Sequence, residues 1–202
     1  MLKFVFLTHG FYEDHKDLAQ LEKKSSRPYV QMTVDEYNIN FVVPLRSNIE
    51  HFEHVLWTNK NEKCGLDFSK LVVISDEEYI RKDLAPHIRQ DEFAKLKGKE
   101  YIIKEKIIKH ISEYNKAKAN LTNPRNVYLC KFSTSQYFEE FVCEISMEDY
   151  LRLKAKAKNE SEQMISDKSK VQTKPKSFEM ENPDKEPENL VLEEETLSTT
   201  EM

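Results

Sequence analysis

Apolar residues come in short runs through the first part of the chain and at helical spacing further on. Leu2 to Leu7, Lys3 aside, predicts a first strand. Gly10 predicts a turn, and a polar helix is expected after it to about Glu22, with Phe11, Leu18 and Leu21 on its buried side. Phe41-Val42-Val43 predicts a buried strand, because one aromatic and two β-branched residues in a row favour a pleated surface. Pro44 has no N–H for a ladder, so it is expected at a strand end, an edge or a bulge, with the chain leaving the core at Leu45. Tyr29 to Val34 and Ile39 to Val43 flank Asp35-Glu36-Tyr37-Asn38, a loop suited to a β-hairpin. Strands paired across a short loop bring their outer ends together, so Arg27 is expected close to Arg46.

Phe52 to Thr58, with the sole tryptophan Trp57, and Leu71 to Ile74 predict further strands, separated by a polar loop over Asn59 to Lys63 that Gly65 ends. Ser75 to Glu78 has capping-box spacing and predicts a short helix through Ile80. A helical half begins with Asp91 to Leu96. After the break at Gly98, Tyr101, Ile103, Ile107, Ile108, Ile111 and Tyr114 recur at helical spacing. Its lysines, Lys99, Lys104, Lys106, Lys109, Lys116 and Lys118, are expected on a solvated face, and Asn123-Pro124 is expected to stop the helix. Ser133 and Gln136 have capping spacing before an apolar face of Tyr137, Phe138, Phe141 and Val142. Ser146 with Asp149 predicts the cap of a last helix that frays near Lys158.

Charge divides the chain in two. Residues 160–202 hold 12 acidic and 5 basic side chains, or −7, so the total of −5 leaves +2 on the rest. That tail has few aromatics and no sustained period, and is expected to be disordered because it cannot bury enough apolar area to offset ordering entropy. The expected organisation is one domain over residues 1–158 and an acidic tail over 159–202. Cys64, Cys130 and Cys143 make an odd count without a C-x-x-C pair, which points to a reducing compartment rather than a disulfide framework. No apolar run approaches membrane-spanning length, so a soluble, cytoplasmic protein is expected.

Candidate chemistry sits after Pro44. Arg46, Ser47 and His51 place a guanidinium, a hydroxyl and an imidazole at a strand terminus, a set suited to a phosphate-like group. An ordinary strand exit with polar residues facing water fits the same residues. Tyr12 and His15, three apart, are expected to share a helix face with their polar tips close together. Lys23-Lys24-Ser25-Ser26-Arg27 reads as a basic turn. His51 and His54 form an H-x-x-H pair, but two ligands without a third do not make a metal site.

Four segments together resemble a known family. Phe11-Tyr12-Glu13-Asp14-His15, Pro44-Leu45-Arg46-Ser47 with Ile49 and His51, Gly65-Leu66-Asp67-Phe68-Ser69-Lys70, and Phe132-Ser133-Thr134-Ser135-Gln136-Tyr137-Phe138 occur in this order. They resemble the toxins of bacterial type III toxin–antitoxin systems, the ToxN/AbiQ/TenpN group, and most of all its TenpN branch, over about residues 2–145. The resemblance implies an α+β fold in which a strongly bent antiparallel β-sheet is packed with helices, similar to the Kid/MazF type of RNase toxin. It implies metal-independent, sequence-selective cleavage of single-stranded cellular or phage RNA, with no cofactor. Inhibition by a small structured RNA antitoxin, an RNA–protein hetero-oligomer and a role in phage defence follow with it. Ser47 falls on the family's active-site serine, Arg46 where ToxN-like members carry threonine, Arg27 on a basic position and Tyr12 on a helix tyrosine. The family's lysine two positions after the serine is Ile49 here, and its second tyrosine has no counterpart.

RNA brings its own nucleophile, the 2′-hydroxyl. On this reading Arg46 and Arg27 stabilise charge on the phosphorane, Ser47 bonds a phosphoryl oxygen or orients the 2′-hydroxyl, and His51 carries a proton. Tyr12, His15, Lys24 and Tyr29 are the candidate substrate-binding residues. The two arginines are expected to depress the His51 pKa from its ordinary value of about 6.5. Two other readings of the same residues are a non-catalytic RNA-binding module and a protein-interaction domain with a recruiting acidic tail. A chain ending at Lys158 is expected to melt as the full chain does by circular dichroism; failure to fold would show that the tail supplies core.

Overall fold

The computed structural model describes residues 2–156, 158 and 159; the segment expected to be disordered lies outside them apart from residue 159. Strand β3 (Ile39–Arg46) is the longest strand and the axis of the fold. On one side it pairs antiparallel with β2 (Tyr29–Val34), from Val34 opposite Ile39 to Tyr29 opposite Pro44. Strand β1 (Lys3–Val5) adds to β2. The hairpin and its loop follow the sequence pattern, with Asn38 at φ 52 closing the turn, a conformation that asparagine tolerates well.

The other side of β3 is shared. Asn40 to Val42 pair with β6 (Val72–Ile74), whereas Leu45 and Arg46 pair with β5 (Cys64–Asp67), itself bonded to β4 (Val55–Asn59). Pro44 lies inside the strand and not at its end. It falls between the residues that serve β6 and those that serve β5, so its missing N–H interrupts neither pairing. The strand therefore carries Arg46 itself, which the proline had suggested would lie beyond it.

The result is an α+β arrangement, a six-stranded antiparallel sheet with helices. The strong bend implied by the family resemblance is absent, for the sheet is not strongly curled. The three-residue strands β1 and β6 are too short to carry the sheet round on itself.

Strand β5 had no signature of its own beyond Gly65, which the sequence suggested would end a loop. Gly65 is instead mid-strand, between Arg46 and Trp57. A Cβ there would sit 2.5 Å from the Leu56 carbonyl oxygen and 3.0 Å from Trp57 Cα, so only glycine lets β4 approach.

Helix α1 (His9–Asp14) is six residues long and holds Gly10 within it. It stops well short of Glu22, because the chain then folds through successive tight turns, such as Leu18 N–H to the His15 carbonyl and Leu21 N–H to the Leu18 carbonyl. Helix α2 (Gln90–Leu96) precedes Gly98, whose φ of +73 turns the chain into α3 (Glu100–Lys118). Ile103, Ile107 and Ile111 of α3 are fully buried, and the helix packs on β2. Asn123-Pro124 does not stop α3, which has already ended at Lys118. Asn123 accepts from the Arg125 N–H and Pro124 opens a further helix, α4 (Pro124–Phe132), as proline at a first helical turn does. Ser133 caps a 3-10 turn (Thr134–Tyr137) ahead of the short α5 (Glu139–Val142), and a last helix over 147–156 starts from the Ser146–Asp149 cap. No helix among the described residues is long and apolar enough to cross a membrane.

Replacing Gly65 with alanine is expected to destabilise the fold by about 1–3 kcal/mol, the usual range for overpacking, read as a lower denaturation midpoint at unchanged m-value. A midpoint equal to wild type would mean that β4 and β5 lie further apart than described.

Candidate active site

Asp67 closes β5 as a fully buried residue and is the fixed point of the site. Its Oδ1 accepts the Ser69 N–H at 3.0 Å and the Ser69 hydroxyl at 2.7 Å. Its Oδ2 accepts Arg46 Nη1 and, at 3.1 Å, His51 Nε2. Burial pushes the carboxyl pKa up, but His51, Ser69 and Arg46 together outweigh it and hold the group at about 2.

His51 reaches Asp67 because the loop after β3 is anchored. Asn48 adopts a left-handed conformation at φ 57, Ile49 is buried, and the Ile49 N–H donates to the Lys63 carbonyl at 3.0 Å. The apolar residue at the family's lysine position thus plugs the loop. His51 Nδ1 lies 2.9 Å from the Glu53 carbonyl oxygen. Both ring nitrogens face groups that only accept, which favours the doubly protonated imidazolium. The hydrogen bond to Asp67 accordingly raises the His51 pKa, with burial and the Arg46 charge opposing. The expected depression by arginines is overturned, since Asp67 lies against the ring.

Arg46 and Arg27 do meet, as the hairpin required. Glu22 joins them, with Oε1 2.8 Å from Arg46 Nη2 and Oε2 3.0 Å from Arg27 Nη2. Arg27 Nη1 also donates to the Leu45 carbonyl at 3.3 Å. A chain of alternating charge therefore runs Arg27–Glu22–Arg46–Asp67–His51.

The remaining candidates separate. The Tyr12 hydroxyl donates to the Lys24 carbonyl at 3.4 Å and lies 3.5 Å from the Tyr29 hydroxyl. Tyr29 is fully buried, so it shapes the Glu22 segment and does not face a ligand; the Lys24 side chain is exposed. His15 does not share a face with the Tyr12 hydroxyl. Lying past the end of α1, it turns its ring onto Phe11 at 4.3 Å, with Nδ1 2.8 Å from the Phe11 carbonyl oxygen. Ser47 is exposed on the bend after Arg46.

Arg46 and His51 line a cleft of about 1140 Å³, bounded on its other wall by α3 and α4. His110 of α3 is buried beneath it, with Nε2 3.0 Å from Ser133 Oγ and 3.3 Å from Ser135 Oγ, and no partner at Nδ1. The His54 and His110 rings meet edge to face at 4.6 Å. Burial lowers both pKa values, that of His110 strongly. Among the described residues no cluster of three or more His, Cys, Asp or Glu is arranged to hold a metal ion.

The comparisons with known proteins are silent here. No family model, curated protein or solved structure matches this chain.

Sequence reasoning missed Glu22 and Asp67. For Asp67 a signal existed: a carboxylate between Leu66 and Phe68 in an apolar frame must be paired if buried. Nothing in the pattern marked Glu22.

Asp67→Asn is expected to cost about 3–5 kcal/mol, as losing one member of a buried ionic network does, and to lower the His51 pKa in an NMR titration. The sign follows from the shifts. The raised His51 stabilises the fold below its unfolded pKa and loses this as pH rises through its folded value. The depressed Asp67 stabilises it above its unfolded pKa and loses this as pH falls towards about 2. An unchanged His51 titration in the variant would remove Asp67 as its partner.

Proposed function

We propose that this chain is a toxin of the ToxN/AbiQ/TenpN type, an endoribonuclease that cuts single-stranded RNA and is restrained by a small folded RNA. The observation that carries this reading is the His51 ring, bonded to buried Asp67 beside Arg46 on the wall of an open cleft. The four segments that carry the family resemblance also touch one another around this place. Thr134 Oγ1 donates to the Ser69 carbonyl at 3.2 Å, Lys70 Nζ to the Phe132 carbonyl at 2.9 Å, and the His15 and Phe138 rings are 6.3 Å apart. Segments that resemble a family's motifs gain weight when they converge.

In the proposed reaction the RNA 2′-oxygen attacks the adjacent phosphorus. The 2′-O–P bond forms as the P–O5′ bond breaks, leaving a 2′,3′-cyclic phosphate and a 5′-hydroxyl. The 2′ proton leaves to water, and the His51 imidazolium gives its Nδ1 proton to the departing 5′-oxygen, which takes the place of the Glu53 carbonyl. A raised pKa suits this acid, since it keeps the proton on the ring to higher pH than an ordinary imidazole would. Arg46 opposes the charge that develops on phosphorus; Ser47, exposed on the bend outside the residues that line the cleft, is not used in these steps. Metal plays no part in these steps, so cleavage is expected to persist in excess EDTA.

One observation favours a second reading. Both His51 nitrogens are engaged in the free chain, which also suits a non-catalytic RNA-binding module. Cleavage by the acid route is expected to be fastest below the raised His51 pKa and to fall as pH rises through it. His51→Gln should lower the rate roughly 10²–10⁴-fold and abolish that limb, with RNA affinity unchanged. RNA that is bound but never cut, as judged by product-end analysis, would establish the binding module instead. An unchanged limb in the variant would remove His51 from the chemistry.

A further inference from the structure

The wall of the cleft opposite His51 is built from two helical stripes. Lys106, Lys109, Glu113 and Lys116 recur at three- and four-residue steps along α3 and line the cleft, joined by Asn120 just past the helix end. Arg125, Tyr128, Leu129 and Phe132 do the same along α4. Helix α4 is unusual in burying none of its residues. Tyr128 is 62% exposed, and across the cleft Phe52 is 73% exposed. Large rings left open to water inside a cavity are unfavourable unless something covers them.

Cations outnumber anions in the cleft around these rings, with Arg46, Lys70, Lys106, Lys109, Lys116 and Arg125 against Glu50, Glu53 and Glu113. Lys106 and Lys116 make no ion pair among the described residues, and Lys109 lies 3.8 Å from Glu113, which also stands 3.6 Å from His54. Glu53 is taken by Arg125. Burial and the neighbouring Lys109 lower the Lys106 pKa, an unfavourable setting for its ammonium that an incoming anion relieves. The solvated face that the sequence pattern suggested for these lysines is present, with Lys109 and Lys116 exposed, and three of the lysines share the cleft with His51.

We propose that this wall is a track for single-stranded RNA, in which Phe52 and Tyr128 each stack a base while Lys106, Lys109 and Lys116 follow the phosphates. The proposal rests on the RNA reading above and adds where, and by which side chains, the strand is held. Lys106 and Lys116 stand ~15 Å apart along the helix axis, a length that follows a strand and not a single nucleotide. An acidic peptide would satisfy the lysines but leave both rings uncovered. A nucleic-acid strand supplies flat π-faces and regular charge together. Stacking tolerates any base, so the track binds the strand and leaves base selection to other contacts.

The test uses the full chain and a short 2′-O-methylated oligouridine, which lacks the 2′-hydroxyl nucleophile and stays intact, with affinity read by fluorescence anisotropy. Tyr128→Ala and Phe52→Ala should each weaken binding roughly 5- to 100-fold, whereas Tyr128→Phe should bind as wild type. Lys116→Ala should reduce the slope of log affinity against log salt by about 0.7. Both rings are exposed, so these variants should keep the wild-type melting curve. Wild-type affinity in both alanine variants would overturn the proposal. So would binding of an acidic peptide in place of the oligonucleotide. The methylated strand bound with these dependences, while unmodified RNA is left uncut, would leave the track standing and sink the nuclease. RNA cut at rates and affinities indifferent to Tyr128 and Phe52 would do the reverse.

Discussion

A carboxylate taken wholly out of water costs several kcal/mol unless donors replace its hydration, and Asp67 imposes that demand on everything near it. Its four hydrogen bonds come from three places: the turn that follows it, the end of β3, and the loop beyond β3. Satisfying one side chain therefore fixes where Arg46 and His51 stand relative to each other. The demand is then passed on. Arg46 needs a second acceptor and takes Glu22, and Glu22 takes Arg27, so the irregular chain between α1 and β2 is fastened by charge. Arg27 Nε and Arg46 Nε are buried without partners among the described residues.

The same cleft holds three histidines in two electrical environments. His51, against a carboxylate, is biased towards its cation; His54 and His110, desolvated and meeting edge to face, are biased towards neutrality. The three rings are thus pushed in opposite directions, His51 towards the charged form and the other two away from it. That separation gives direction to any proton transfer, because the ring biased to hold a proton is also the most exposed of the three. Ser133 and Ser135, beneath the cleft, complete the floor by bonding His110 and holding it in place.

Much of the frame was legible in the sequence because it rests on local rules. The hairpin loop at Asp35 to Asn38, the α3 stripe of isoleucines and the cap at Ser146 each depend on residues close together in the chain. The proximity of Arg27 and Arg46 was legible for the same reason, being a property of hairpin ends. Errors came where distant partners decide. Pro44 looked like a strand end because the change of partner strand from β6 to β5 cannot be seen in its neighbours. Gly65 looked like a loop residue because the Leu56 carbonyl that demands it belongs to another strand. His15 and His51 were placed near the right segments, but their ring contacts depend on the exact end of α1 and on a carboxylate 16 residues away.

Pro44 has a mechanical consequence. The edge of β3 is broken there, so the β4–β5 ribbon joins the sheet through the Leu45 and Arg46 pairings alone. A ribbon hinged on so short a seam is expected to exchange its amide hydrogens ahead of the β1–β2–β3–β6 body. Its latch is made of the bonds from Asp67 to Arg46 and His51, from the Ile49 N–H to the Lys63 carbonyl and from the Thr58 hydroxyl to Glu92. Whatever competes for His51 therefore loosens one end of the latch, and occupancy of the cleft becomes coupled to how often this part of the molecule breathes.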